Sequence, residues 1–291
     1  MILVRFVVSI FALIFMLNSC VKNNPDPSWL EVNDWVLESN ISLSGEEGEL
    51  TQNISNAKVL VNNQLVGIFE TPFRIPLLVD GPVNIRLEPV IINNGISATK
   101  KVYPFMDFYQ EEAVLSQNET VTISPITRYK SNVNFWIEDF EDINISIEND
   151  PNTSVANLQL SNENLNDFNG NYYGKIILND TDSTWVAYTT DQLSIPKGVP
   201  SFLEIDYYNI NDLYQGIISL SPYGQQNNVN IRMNAQNPES VTWKKIYIEL
   251  NELITASPNE STFLQSFVAN LDEELSTRFI HIDNIKVLWL Q

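Results

Sequence analysis

The chain's single cysteine closes the run Leu17-Asn18-Ser19-Cys20, and that spacing prescribes covalent chemistry. Leucine three places before a cysteine, with a small residue directly before it, forms a lipobox. The Cys20 thiol takes a diacylglycerol, and cleavage then frees its amine. The preceding residues fit this role: 1–19 carry one positive charge, Arg5, no acid, and an apolar run over 6–17. Such a run is short for a membrane span and has the flanks of a secretory signal. Two acyl chains anchor durably, at ~0.8 kcal/mol per buried CH₂.

The other reactive side chains exclude more than they propose. With Cys20 acylated no thiol remains for a disulfide, a zinc site or a cysteine nucleophile. His281 is the only histidine, between Ile280 and Ile282 on what reads as a strand face shared with Phe279 and Asp283. No G-x-S-x-G motif accompanies it, so it reads as a structural histidine and not as part of a triad. Lys and Arg total 16 against 36 Asp and Glu, a formal charge of −20 that becomes −21 once Arg5 leaves with the signal. That balance excludes a nucleic-acid partner and charge-driven docking on anionic lipid. Paired carboxylates can hydrolyse glycosides, but the pattern singles out no pair, and the expectation is a protein that is not an enzyme. Tyr208 and Tyr214, set among Asn209, Asn211 and Asp212, read as loop residues able to stack on sugar rings. Trp243, on an alternating strand, reads as core.

These groups must be positioned by β-structure. At 291 residues and 44% hydrophobic the chain can bury one large or two ordinary cores. Residues 20–28 form a polar tether with Pro25 and Pro27, about 25–30 Å long when extended. Over 29–130, short alternating runs follow one another. Val59 and Val61 lead to Asn62-Asn63, which suits a tight hairpin turn. Over 134–291 the alternation continues through Phe202-Leu203-Glu204-Ile205-Asp206-Tyr207 and on to the C-terminal run around His281. In one segment Phe263, Phe267, Leu271 and Leu275 fit a helix stripe, while Phe263, Phe267, Ala269 and Leu271 fit a strand equally well.

Two resemblances extend this reading. Ala57-Lys58-Val59-Leu60-Val61-Asn62, Gly67, Thr71-Pro72-Phe73, Asp80-Gly81 and Tyr103-Pro104-Phe105 resemble the PEGA-like β-domains of Bacteroidota surface lipoproteins. Trp243-Lys244-Lys245-Ile246-Tyr247-Ile248-Glu249-Leu250 and Ile282-Asp283-Asn284-Ile285-Lys286-Val287-Leu288 resemble the galactose-binding-like jelly rolls of carbohydrate-binding modules. The resemblances imply an all-β chain, a small N-terminal β-sandwich followed by a C-terminal β-jelly roll, and they resolve the ambiguous segment as strand. They also imply a structural calcium held by Glu141 (or Asp139) and Asp283, with no other cofactor required. The expected protein is a lipid-anchored outer-membrane lipoprotein on the cell-surface side. It would serve as an accessory subunit beside a β-barrel or lipoprotein partner. The alternative is a glycan-binding lipoprotein, with a hydrolase third.

Overall fold

The computed structural model describes residues 26–165, 168, 170–272 and 277–291. Cys20 and its lipobox lie outside them. The described chain is all β apart from a single 3₁₀ turn and one short helix.

The N-terminal part contains β1 (Ser28–Val32), β2 (Val36–Leu37), β3 (Asn56–Val61), β4 (Gln64–Glu70), β5 (Phe73–Leu77), β6 (Gly81–Ile92), β7 (Lys100–Val102), β8 (Tyr109–Leu115), β9 (Thr120–Ile123) and β10 (Ile126–Thr127). They form three small sheets: β5-β1-β9, β10-β2, and β4-β3-β6 with β7 and β8 sharing the far edge of β6. The expected hairpin is present. Asn62 (φ 50°) and Asn63 (φ 62°) supply the two left-handed residues that match a tight turn to strand twist.

The C-terminal part contains β11 (Val133–Glu138), β12 (Ile147–Asn149), β13 (Gln159–Ser161), β14 (Tyr173–Asn179), β15 (Thr184–Thr189), β16 (Ser201–Asn209), β17 (Leu213–Ser221), β18 (Gly224–Met233), β19 (Lys244–Glu249), α1 (Asn251–Ala256), β20 (Thr262–Asn270) and β21 (Thr277–Leu290). Two sheets face each other. One runs β13-β14-β21-β16-β19, with β11 also on β21, and is called here the seam sheet. The other runs β12-β15-β20-β17-β18 and is called the free sheet. Period-two alternation fills the space between them: Ile176, Leu203, Ile205, Ile280 and Ile282 from the seam sheet meet Trp185, Ile217, Phe263 and Phe267 from the free sheet. Strand β20 settles the ambiguous segment, because Phe263, Phe267 and Ala269 all point into this core.

Much of the opposite side of the seam sheet is not solvent. Phe202, Tyr247 and Leu288 project from it into a second core with Leu30, Val59, Ile85, Tyr103 and Phe105 of the N-terminal sheets. Tyr103 packs edge-on against Phe202 and Tyr247, with ring centroids 5.5 and 4.9 Å apart. The N-terminal sheets and the seam sheet are thus joined by a continuous apolar layer, and the free sheet keeps its outer side open.

Candidate functional site

Beside that apolar layer runs a buried chain of charges. Glu204 on β16, 0% exposed, accepts from Tyr103 Oη at 2.5 Å and from Tyr129 Oη at 2.9 Å, and it pairs with Lys245 Nζ at 3.2 Å. Lys245 also reaches Asp206 at 3.3 Å and donates to Thr51 Oγ1 at 3.0 Å. Thr51 in turn donates to Asp206 Oδ2 at 2.6 Å. Burial alone would lower the Lys245 pKa, but Asp206 and Glu204 outweigh it and hold the ammonium charged. Burial pushes the Tyr103 and Tyr129 hydroxyls well above their usual range, reinforced by Glu204, so both remain donors. Lys286, 0% exposed on β21, donates to the carbonyls of Glu47 and Glu49. It thereby fixes the N-terminal 47–53 segment against the sheet. Burial drops its pKa to about 8.

Next to this network β21 carries a bulge. Glu204 opposes Lys286 and Asp206 opposes Asp283, so Ile205 faces two residues, Asn284 and Ile285. Asn284 takes φ 46°, the left-handed conformation that one class of bulge requires. The extra residue sets Asp283 and Asn284 side by side on the outer side of the sheet. Both line a cavity of about 150 Å³ walled by Trp243 and Phe168 and closed from the N-terminal side by Thr51 and Gln52. The expectation of Trp243 as core is corrected: it precedes β19, is half-buried, and forms the cavity wall. Its ring lies 5.2 Å from that of Phe168.

Asp283 and Asn284 also face a neighbouring hollow with Asp139 and Glu141, so the expected calcium residues do share one pocket. Calcium takes six to eight oxygens. Asp283 Oδ1 is buried with no hydrogen-bond partner among the described residues, as a ligand oxygen would be. Glu141, however, already accepts from Asn171 N (2.6 Å), Asn171 Nδ2 (2.9 Å) and Tyr172 N (3.1 Å); burial raises its pKa, but these bonds together outweigh burial and lower it. Among the described residues no three His, Cys, Asp or Glu side chains lie close enough to hold a metal ion. The set falls short of a calcium cage. Burial, together with Asp206, Asp139 and Glu141, instead lifts the Asp283 carboxyl to about 9.

Tyr208 sits on β16 and Tyr214 on β17, not in a loop, and they point from opposite sheets. Asn209 and Asn211 explain the difference. Both are buried; the Asn209 amide donates to the Asn211 carbonyl, and the Asn211 amide donates to the carbonyls of Asp212 and of Asn270 at the end of β20, making the connection a packed turn. Tyr208 stacks on His281 (5.5 Å, 7°), which stacks on Phe279 (4.8 Å, 23°). His281 is structural through stacking; neither ring nitrogen has a hydrogen-bond partner among the described residues. Burial, with Lys175 adding to it, lowers its pKa to about 4.

Tyr214 belongs to the open side of the free sheet, and pairing gives the layout there. One row reads Val186, Val268, Tyr214, Arg232; the next reads Glu148, Tyr188, Ser266, Gly216, Val229. Two small residues, Ser266 and Gly216, form a low floor between Tyr188 and Tyr214. Strand spacing and rise put those two tyrosines two strands and one row apart, about 12 Å. Gly216 is required: a Cβ there would meet the Asn228 carbonyl oxygen at 2.5 Å. Arg232 flanks Tyr214, ring centroid 5.9 Å away, and is itself paired with Asp212. Tyr188 was not singled out by sequence reasoning, although its alternation with Trp185 and Ala187 was visible.

No family model matches the chain, and no curated protein is similar to it in sequence. Several solved structures are similar in shape. One is a carbohydrate-binding module of the β-sandwich superfamily, studied for promiscuous specificity, at 14% identity and TM-score 0.39, covering 82% of this chain and 86% of that one. A second is the family 11 carbohydrate-binding module of Clostridium thermocellum in complex with a mixed-linked tetrasaccharide, at 12% identity and TM-score 0.37, covering 53% and 94%. A third is the K1 cleaved adhesin domain of Lys-gingipain from Porphyromonas gingivalis, at 13% identity and TM-score 0.36, covering 53% and 97%.

Proposed function

We propose that this chain is a non-catalytic glycan-binding lipoprotein, tethered to the outer membrane by acylated Cys20, whose free sheet receives an extended saccharide. The observation that carries the reading is the pair Tyr188 and Tyr214 across the low floor of Ser266 and Gly216. Aromatic faces stack on the apolar faces of sugar rings. A separation of about 12 Å, two strands by one row, lets an extended chain lie across both rings. Asn227 and Gln225 on β18 border the same face and can bond hydroxyls. Affinity electrophoresis through gels containing neutral polysaccharides tests this. Retardation of the wild-type protein that is lost in Tyr188→Ala and Tyr214→Ala supports the reading; no retardation in any gel, or retardation unchanged in both variants, overturns it.

One observation favours the accessory-subunit reading as well. Strand β4 is a sheet edge that exposes Leu65, Val66 and Ile68. An apolar edge strand invites another strand. Co-purification of a stoichiometric β-barrel that is lost in Val66→Lys supports that role.

A further inference from the structure

We propose that the cavity at the seam is a second saccharide site that takes one terminal sugar ring, an inference that rests on the glycan-binding reading. Its size is the first argument. A cavity of about 150 Å³ admits a single six-membered ring. The open face of the free sheet has no such enclosure and suits a chain.

Its chemistry is the second argument. Trp243 and Phe168 give an aromatic wall for the apolar side of a ring. Opposite polarity is supplied by Asn284, 2% exposed, whose Oδ1 has no hydrogen-bond partner among the described residues. The Trp243 indole N–H is likewise buried without an acceptor among them. Buried groups left unpaired are costly, so a ligand that pairs them gains. A ring hydroxyl that enters the cavity donates to Asn284 Oδ1 once the amide turns to meet it, and the aromatic wall holds the ring's apolar side.

Its position is the third. The cavity is completed by Thr51 and Gln52, which belong to the N-terminal part, and Lys286 holds that segment in place. The site therefore exists only in the joined molecule. One protein can then grip a glycan along its length on the free sheet and at an end in the seam.

Single rings separate the two sites. Saturation-transfer NMR with methyl β-glucoside, methyl β-galactoside and methyl β-N-acetylglucosaminide reads the seam; calorimetry with xylohexaose and cellohexaose reads the free sheet. Transfer to at least one methyl glycoside is expected in the wild type and in Tyr214→Ala, with at least a tenfold loss of affinity in Trp243→Ala. Because Trp243→Ala can disturb packing, Asn284→Gly serves as the second variant. Glycine suits φ 46°, so this variant keeps the bulge, and at least a fivefold loss is expected from the missing amide. Absence of transfer from all three glycosides in the wild type overturns the proposal. So does transfer unchanged in both Trp243→Ala and Asn284→Gly. Hexasaccharide binding that is lost in Tyr214→Ala without single-ring transfer leaves the free-sheet reading standing and removes the seam site; single-ring transfer lost in Trp243→Ala, with no hexasaccharide binding, does the reverse.

Discussion

The two sheets of the C-terminal sandwich share one core and differ in what their outer sides carry. On the seam sheet one half of the outward positions, Phe202, Glu204, Asp206, Lys245, Tyr247 and Lys286, is large or charged and buried beneath the N-terminal sheets. On the free sheet the central outward positions are Val186, Tyr188, Ser266, Gly216, Val268 and Tyr214, uncharged, with Glu148 and Arg232 only at the two edges. The contrast shows where charge is tolerable. A buried carboxylate needs several partners, and Glu204 has Tyr103, Tyr129 and Lys245. The middle of the free sheet has no such set of partners and carries no charge, since an unpaired buried charge there would be costly.

The strongest way to break the contrast is to unbalance the seam. Glu204→Leu leaves two tyrosine hydroxyls without their acceptor and takes from Lys245 one of its two carboxylate partners, and should lower unfolding stability by about 3–5 kcal/mol in urea titration. A change under about 1 kcal/mol would mean that the apolar layer alone joins the parts.

A second test uses the lower half of the same face, where His281 lies among Tyr173, Tyr208 and Phe279, with Lys175 and Glu163 near. Its folded pKa of about 4 lies below the ordinary value of 6.5. Between those values the unfolded chain binds a proton that the folded chain does not, so stability rises with pH through that window and is complete above it. On acidification the contribution is lost as pH falls from about 6.5 through about 4, for a total of about 3 kcal/mol. Comparing wild type with His281→Phe at each pH isolates the slope; parallel curves would show that the ring titrates normally.

On the free sheet the largest effect should come from Gly216. Gly216→Val drives a branched side chain into the Asn228 carbonyl, 2.5 Å from the first added carbon. About 1–3 kcal/mol of stability should go with it, and oligosaccharide binding should go too because the floor rises. Binding retained at full affinity would place the ligand elsewhere.

Much of this was legible in the sequence, for local reasons. The Asn62-Asn63 hairpin, the alternation of Phe202 to Tyr207, and strand β20 follow from turn chemistry and period two. What was hidden is non-local. Glu204 and Asp206 look like solvated acids until Tyr103, Tyr129 and Thr51, each more than 70 residues away in sequence, arrive as partners. Trp243 lies one residue before its strand begins, so alternation alone assigned it to the core. Tyr208 and Tyr214 are six residues apart and were read together, yet the turn between them sends them to different sheets.

The smallest effect on folding should accompany the sharpest effect on function. Tyr214→Ala and Tyr188→Ala remove partly exposed rings that no core depends on, so each should shift stability by no more than about 0.5 kcal/mol. Each should nonetheless weaken oligosaccharide binding about tenfold, as loss of a stacking partner does. Because the two rings stand about 12 Å apart, their effects on a long ligand should add, giving about a hundredfold in the double variant. With a ligand too short to bridge them, the double variant should match the worse single one. Additivity that ignored ligand length would mean that the two tyrosines do not lie along one saccharide, and the free sheet would then be an open face without a shared ligand path.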